Sequence, residues 1–206
     1  ELLQPLTVPY FADLLGWAAI GARTSESQVH REMVSGLEVP TGFKNGTDGG
    51  VQIALDAMRA AAHGHQYMGL DEQGRVALLQ AAGNRNTHLV LRGGSAGSNY
   101  DAASVAHALQ ALAQAGQSDG IMVDCSHANS GKDPQRQPEV LEAVVQQRLA
   151  GNLSLRAVML ESHLHDGQQS LEGPLAYGVS VTDGCLGWSM TENCLRQLAA
   201  QLREQH

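Results

Sequence analysis

Five times along this chain a short apolar run stops at a charged or metal-capable residue and gives way to a loop of small residues. The five are AAIGAR ending at Arg23, TGFK at Lys44, HLVLR at Arg92, IMVDCSH at His127 and AVMLE at Glu161. The loops behind them read TSES, NGTDGG, GGSAGSN, ANSGK and SHLHDG. Runs this short and apolar predict buried strands, and the intervals leave room for a helix between them. Repeated strand–helix units point to a β/α barrel, in which functional groups gather at the C-terminal strand ends around one mouth. Three cationic residues, then a histidine and a carboxylate, would meet there. That set suits an anionic, phosphorylated substrate beside a metal ion.

The segments between the runs fill in the pattern. Residues 2–6 read as the end of a strand and Tyr10–Leu15 as a short helix. Ala18–Arg23, Thr41–Lys44, His88–Arg92, Gly120–Asp124 and Arg156–Glu161 are the expected strands. Helices are expected over Ser25–Ser35, from Gly50 to about His63, and over Asp101–Ala115, Pro138–Leu149 and Thr191–Glu204. Thr24 or Ser25 would cap the first of these, and Thr47 or Asp48 the second. Residues 66–80 break the rhythm: QYMGL and RVALLQ flank Asp71-Glu72-Gln73-Gly74, a hairpin signal. The hairpin is expected as an insertion on the barrel, not as one of its strands. Counting the N-terminal stub gives about six barrel strands where closure takes about eight. The expectation is therefore a single domain over 1–206, a (β/α)8 TIM barrel represented by about its last six units, with its N-terminal strands absent.

Composition narrows the function classes. The 206 residues suffice for one domain with a substantial core. Thirteen basic against 21 acidic residues leave a net charge of −8, which argues against a nucleic-acid surface. Aromatic content of 4% gives no base-stacking platform. The three cysteines, Cys125, Cys185 and Cys194, form no CxxC pair and no disulfide framework, so a reducing compartment, the cytoplasm, is expected. Cys125 and Cys185 read as small buried hydrophobes. No apolar run reaches the length of a membrane span, and no membrane partner is expected. The first stretch lacks a basic leader and carries Asp13, unlike a signal peptide.

Taken one at a time, the chemical residues keep bland alternatives. His127 could be a hydrogen-bonded loop histidine, Glu161 half of a buried ion pair, and the TDGC around Asp183 a helix cap. Trp17 and Trp188 read as packing residues, and the remaining histidines as surface or structural groups. Together the motifs are more specific. GARTSESQVHRE, GFKNGTDGG, LRGG, VDCSHANSGK, ESHL and LAYGVSVTDGCLGW, in this order, resemble type I 3-deoxy-D-arabino-heptulosonate 7-phosphate (DAHP) synthase over essentially all 206 residues. A sister family condensing phosphoenolpyruvate with arabinose 5-phosphate shares much of the chemistry, but GARTSESQ and SHANS fit the heptulosonate enzyme better.

The resemblance implies a barrel that condenses phosphoenolpyruvate with erythrose 4-phosphate, the first step toward the aromatic amino acids. It also implies a divalent metal ion (Mn, Fe, Co or Zn). It assigns Arg23, Arg92, Lys44 and the amide of Ala22 to phosphoenolpyruvate, and His127, Glu161 and Asp183 to the metal. Lys44 and His127 are thereby the candidate catalytic residues. A cysteine ligand, a Lys-Pro-Arg-Thr motif and a further arginine are implied ahead of residue 1; Cys125 does not take the ligand role. A homo-oligomer and an aromatic amino acid effector are implied as partners. Gln4–Pro9, Glu38 and the 66–80 hairpin are the candidates for the effector surface. Without the preceding segment, the alternative is a binding module for phosphoenolpyruvate or phosphate, or an interaction subunit.

Overall fold

The structure, a computed structural model, describes Leu2 and residues 4–204. Five strands, β1 (Ala18–Ile20), β2 (Thr41–Lys44), β5 (Thr87–Leu91), β6 (Ile121–Asp124) and β7 (Leu155–Met159), form one parallel sheet in the order β1-β2-β5-β6-β7. Between β2 and β5 in the chain, β3 (His65–Leu70) and β4 (Val76–Ala81) pair antiparallel with each other and not with that sheet. This is the separate hairpin that the Asp71–Gly74 turn signals. Asp71 builds the turn, accepting from the Gln73 and Arg75 amides at 3.0 and 2.9 Å, and Gly74 takes φ +73°.

Helices fill the crossovers: α1 (Gln28–Ser35), α2 (Gln52–Ala61), α3 (Ala102–Gln114), α4 (Gln137–Leu149) and α5 (Trp188–Arg203). Their apolar stripes bury Met33, Val34, Leu55, Met58, Leu112 and Val140 against Phe43, Leu89, Leu91, Ile121 and Val123 of the sheet. Strand side chains alternate between faces. The intervening positions Gly42, Lys44, Val90, Met122 and Asp124 therefore look to the other side of the sheet. Val90 and Met122 are buried yet stand outside the main core cluster. A parallel sheet covered on both faces needs apolar strands, as the Leu89–Leu91 run of β5 is. Lys44 and Asp124 depart from that rule at the C-terminal ends of β2 and β6.

The strands add in chain order to one side, without the reversal of strand order that a doubly wound sheet carries. The sheet here is open, with β1 and β7 at its edges. Beyond β7 the described residues add isolated bridges, parallel from Ser162 to Leu186 and from Gln168 to Ser180, and antiparallel from Gly167 to Cys185. The expected strand over 2–6 is not present among the described residues. Leu2 donates to Ala19 O at 3.0 Å, residues 5–7 turn, and Val8–Leu14 is a 3-10 helix in place of the helix expected over Tyr10–Leu15. Among the described residues the parallel strands are therefore five, not six.

Helix starts moved for identifiable reasons. Thr24 and Ser25 do not cap α1: both hydroxyls return to Gly21 O, at 3.1 and 3.2 Å, and the cap position falls to Ser27. Asp48 spends its carboxylate on the Gly50 amide at 2.9 Å, so α2 begins at Gln52 behind Val51. The last helix starts at Trp188 behind Gly187, earlier than Thr191. The TDGC segment therefore caps no helix, and Asp183 is left to the loop. Asp101, by contrast, caps α3 as its sequence suggests, accepting from Ala103 and Ser104 at 3.0 Å. No helix among the described residues is long and apolar enough to cross a membrane.

Candidate active site

The loops at the C-terminal strand ends bring the singled-out residues together. A cleft of about 290 Å³ is lined by Ala22 and Arg23 after β1, Lys44 at the end of β2, and Arg92 after β5. His127, Lys132 and Asp183 complete that lining. A neighbouring cleft of about 230 Å³ is lined by Glu161, Gln137, Ser126 and Ser130. His127, Lys132 and Asp183 line both, so the two are parts of one mouth.

One side of this mouth can hold a metal ion. Ligand atoms of His127, Glu161 and Asp183 lie within 4.8 Å of one another. The His127 ring is oriented for that role. Its Nδ1 lies 2.9 Å from Asp124 Oδ2, and Nε2 faces Glu161 Oε1 at 3.7 Å. The Ser126 hydroxyl donates to Asp124 Oδ1 at 2.5 Å and meets the same Nδ1 at 2.8 Å. A proton on Nδ1 satisfies the carboxylate and leaves the Nε2 lone pair for the ligand side, the arrangement in which a carboxylate fixes the tautomer of a metal-binding histidine. One nitrogen and two carboxylates suit a borderline or hard divalent ion. His127 has φ +52°, a left-handed conformation that few residues other than glycine adopt, held by the Lys132 amide donating to its carbonyl at 2.7 Å.

Glu161 is fixed through its backbone. The buried Gln137 side chain accepts from the Glu161 amide at 2.8 Å and donates to its carbonyl at 3.1 Å. Burial pushes the Glu161 carboxyl up, and nearby Asp124 and Asp183 reinforce this; the positive charges of His127 and Lys44 oppose it without reversing it. A site that raises a carboxylate in this way is short of positive charge, which a bound cation supplies.

The other side is cationic. Lys44 is 3% exposed and Asp124 fully buried, with Nζ 2.9 Å from Oδ2, so this pair is neutral as a unit. Burial opposes ionisation of Asp124, but the His127 hydrogen bond, the charges of Lys44 and His127 and the Ser126 bond outweigh it, holding the carboxyl far below the usual aspartate range. Arg23, Arg92 and Lys132 remain uncompensated: among the described residues no carboxylate pairs with them. Guanidinium groups suit phosphate and carboxylate bidentately.

Asp124 and Lys132 are the members that the sequence reading did not single out. Asp124 carried a signal, since a carboxylate inside a buried apolar run requires a partner. Lys132 carried none, because its loop turns it back into the mouth through φ +63°. Cys125 stays outside the site, fully buried on the helix side, where desolvation pushes its thiol well above the ordinary range. The histidines read as structural include His88, bonded to Trp17 Nε1 at 3.2 Å, and His163, whose Nδ1 lies 2.5 Å from Gly178 O.

The loops also depend on a close backbone approach. A Cβ at Gly94 would meet the Gly49 nitrogen at 2.1 Å and the Asp48 carbonyl carbon at 2.3 Å. Backbone cannot yield as a side-chain tip can, so Gly94→Ala is expected to cost about 2–3 kcal/mol, the range for overpacking. Urea denaturation checks this; an unchanged midpoint would contradict the packing.

At the strand ends of a parallel sheet, this mouth sets cations suited to an anion beside a His/Glu/Asp donor set suited to a divalent ion. Comparison with known proteins identifies the family. Residues 1–196 match the DAHP synthetase I family, and the chain belongs to that family. It is 52% identical to the Tyr-sensitive phospho-2-dehydro-3-deoxyheptonate aldolase of Escherichia coli, over 100% of this chain and 58% of that protein. It is 49% identical to the Phe-sensitive enzyme of the same organism, over 97% of this chain and 57% of that protein. The structure of the aldolase from Francisella tularensis superposes with a TM-score of 0.91 at 41% identity, covering 97% of this chain and 58% of that one. The chain thus spans a little over half the length of these relatives.

Proposed function

We propose that this chain carries the phosphoenolpyruvate- and metal-binding part of a DAHP synthase, in one domain whose five parallel strands form an arc of a TIM barrel. The observation that supports this best is the pair of clefts sharing His127, Lys132 and Asp183, so that cations and donor set face one volume. Arg23 and Arg92 hold the phosphate and carboxylate of phosphoenolpyruvate, with Lys132 as a further cation. The Ala22 amide adds a donor, and Lys44 contributes from the floor beside Asp124. These groups keep the C3 carbon of phosphoenolpyruvate facing the aldehyde of erythrose 4-phosphate. C3 attacks that carbonyl, a C–C bond forms and the oxygen is protonated. Water adds at C2, and phosphate departs with cleavage of its C–O bond. Held by His127, Glu161 and Asp183, a divalent ion of the Mn, Fe, Co or Zn type supplies Lewis acidity at the aldehyde oxygen.

Erythrose 4-phosphate is preferred to arabinose 5-phosphate because the family match covers residues 1–196. The names Tyr-sensitive and Phe-sensitive support an aromatic amino acid effector. Three segments remain candidates for its surface: Gln4–Pro9, Glu38 and the hairpin, against which the 3-10 segment and α1 pack. Exposed Met68, Val76 and Leu78 on the hairpin support a homo-oligomer through that face.

The test is release of phosphate from phosphoenolpyruvate by the intact natural protein, with each aldose in turn. Chelation by EDTA is expected to abolish turnover and Mn²⁺ to restore it, with erythrose 4-phosphate the faster substrate. Full activity after exhaustive chelation, or preference for arabinose 5-phosphate, would overturn the reading.

A further inference from the structure

Three asparagines beneath the mouth bond to one another and to the loops that carry its cations. Asn45, fully buried after Lys44, donates to Gly46 O at 2.7 Å and Gly93 O at 3.0 Å. Its Oδ1 accepts from the Arg92 amide at 2.7 Å and from Asn99 Nδ2 at 3.2 Å. Asn99 Oδ1 accepts from the Gly93 amide at 2.7 Å. The Asn99 amide donates to Oδ1 of Asn129, which is 2% exposed and donates to Leu91 O at 3.2 Å and Asp124 O at 2.9 Å.

We propose that Asn45, Asn99 and Asn129 form a single latch that sets the loops after β2, β5 and β6 in register, making Asn99 a positioning residue for Arg92. The argument is one of connectivity and satisfaction. Each amide offers both a donor and an acceptor, and here each spans two different loops. Arg92 takes its backbone position from Asn45, Asn45 is held by Asn99, and Asn99 is held by Asn129. The carbonyl that Asn129 binds belongs to Asp124, whose carboxylate aligns Lys44 and His127. Loosening one link therefore leaves polar groups unpaired in its neighbours, and a network of this kind fails together. Asn99 does not line the cationic cleft, so it acts on the cleft through the residues it holds, Arg92 being reached by way of Asn45.

The functional half of this inference rests on the substrate proposed above; the structural half does not. The test is amide exchange by NMR on the intact protein, with phosphoenolpyruvate titration alongside. In Asn99→Ala, the amides of both Gly93 and Arg92 are expected to exchange at least about tenfold faster, although Asn99 bonds only the first. Phosphoenolpyruvate should bind at least about fivefold more weakly, while β2 and β5 amides keep their protection. Asn99→Asp, which keeps the acceptor for Gly93 but turns a second oxygen toward Asn45, should release Arg92 and spare Gly93. An Arg92 amide unchanged in both variants overturns the latch, as does unaltered phosphoenolpyruvate affinity when the unmodified protein binds it. Coupled exchange in a protein that binds no phosphoenolpyruvate would support the latch and remove the substrate assignment instead.

Discussion

Asp124→Asn should be the most damaging single exchange in this chain, for stability and metal affinity alike. The side chain is fully buried with Lys44 Nζ and His127 Nδ1 each 2.9 Å from Oδ2. The amide is nearly isosteric, so packing is kept and the charge alone is lost. Lys44, 3% exposed, then loses the carboxylate 2.9 Å from its ammonium. Breaking a buried pair from one side costs about 3–5 kcal/mol, because a charge held out of water loses the attraction that offset its desolvation. The asparagine can also turn its NH₂ to His127, favouring the tautomer with the proton on Nε2. Losing such an orienting carboxylate lowers metal affinity by about 10–100-fold. The acid limb gives an independent check. The carboxyl is held below its unfolded value, so its contribution is complete above pH about 4 and is lost as pH falls toward the folded value. In metal-free protein, the stability gap between the parent and Asp124→Asn should be full at pH 7 and narrow steadily below pH 4. A gap that is absent at neutral pH, or constant on acidification, would show that Asp124 is not the buried counter-charge.

Why Asp124 escaped a reading of the sequence while Lys44 and His127 did not is a matter of which contacts are local. Apolar runs ending in Lys44, Arg92 and His127 mark strand ends directly, and the hairpin turn at Asp71–Gly74 is built from neighbours in the chain. Asp124 meets Lys44 only because β5 lies between β2 and β6: Lys44 is in register with Val90 and Val90 with Met122, and Asp124 is the next β6 residue on that face. No spacing encodes that. The same holds for Asn45, Asn99 and Asn129, which read as ordinary loop residues until their loops are stacked. Helix starts failed for a different reason: Ser25 and Asp48 have cap chemistry but use it in turns that shape the mouth. The five strands of the parallel sheet were legible from periodicity. Among the described residues the stub expected over 2–6 is not a strand, because a run of apolar residues that short suits a turn and 3-10 helix equally well.

Arg92→Ala should remove most turnover while leaving the fold in place. Its guanidinium meets no carboxylate among the described residues, so no buried partner is stranded by truncation. The features that fix the loop are backbone ones: the Arg92 amide donates to Asn45 Oδ1 at 2.7 Å, and alanine keeps that bond. Melting should therefore shift little. Catalysis should not survive as well. A guanidinium on a phosphate or carboxylate in a confined mouth contributes about 2–5 kcal/mol when truncation leaves the anion unpaired. At about 1.4 kcal/mol per decade, kcat/KM for phosphoenolpyruvate should fall by about 30- to 4,000-fold. Arg92→Lys separates charge from shape: lysine restores the charge but not the planar fork, so recovery should be partial. The split between constants carries the rest. If Arg92 grips phosphoenolpyruvate equally in ground and transition states, KM rises and kcat holds; if it meets charge that develops as phosphate departs, kcat falls with it. That Arg92 lines the same cleft as His127 and Asp183 favours the second outcome, because an anion held by the arginine would lie in the volume that the donor set faces. A kcat/KM near that of the parent in Arg92→Ala would remove Arg92 from the anion site and the cationic side of the mouth would need another assignment.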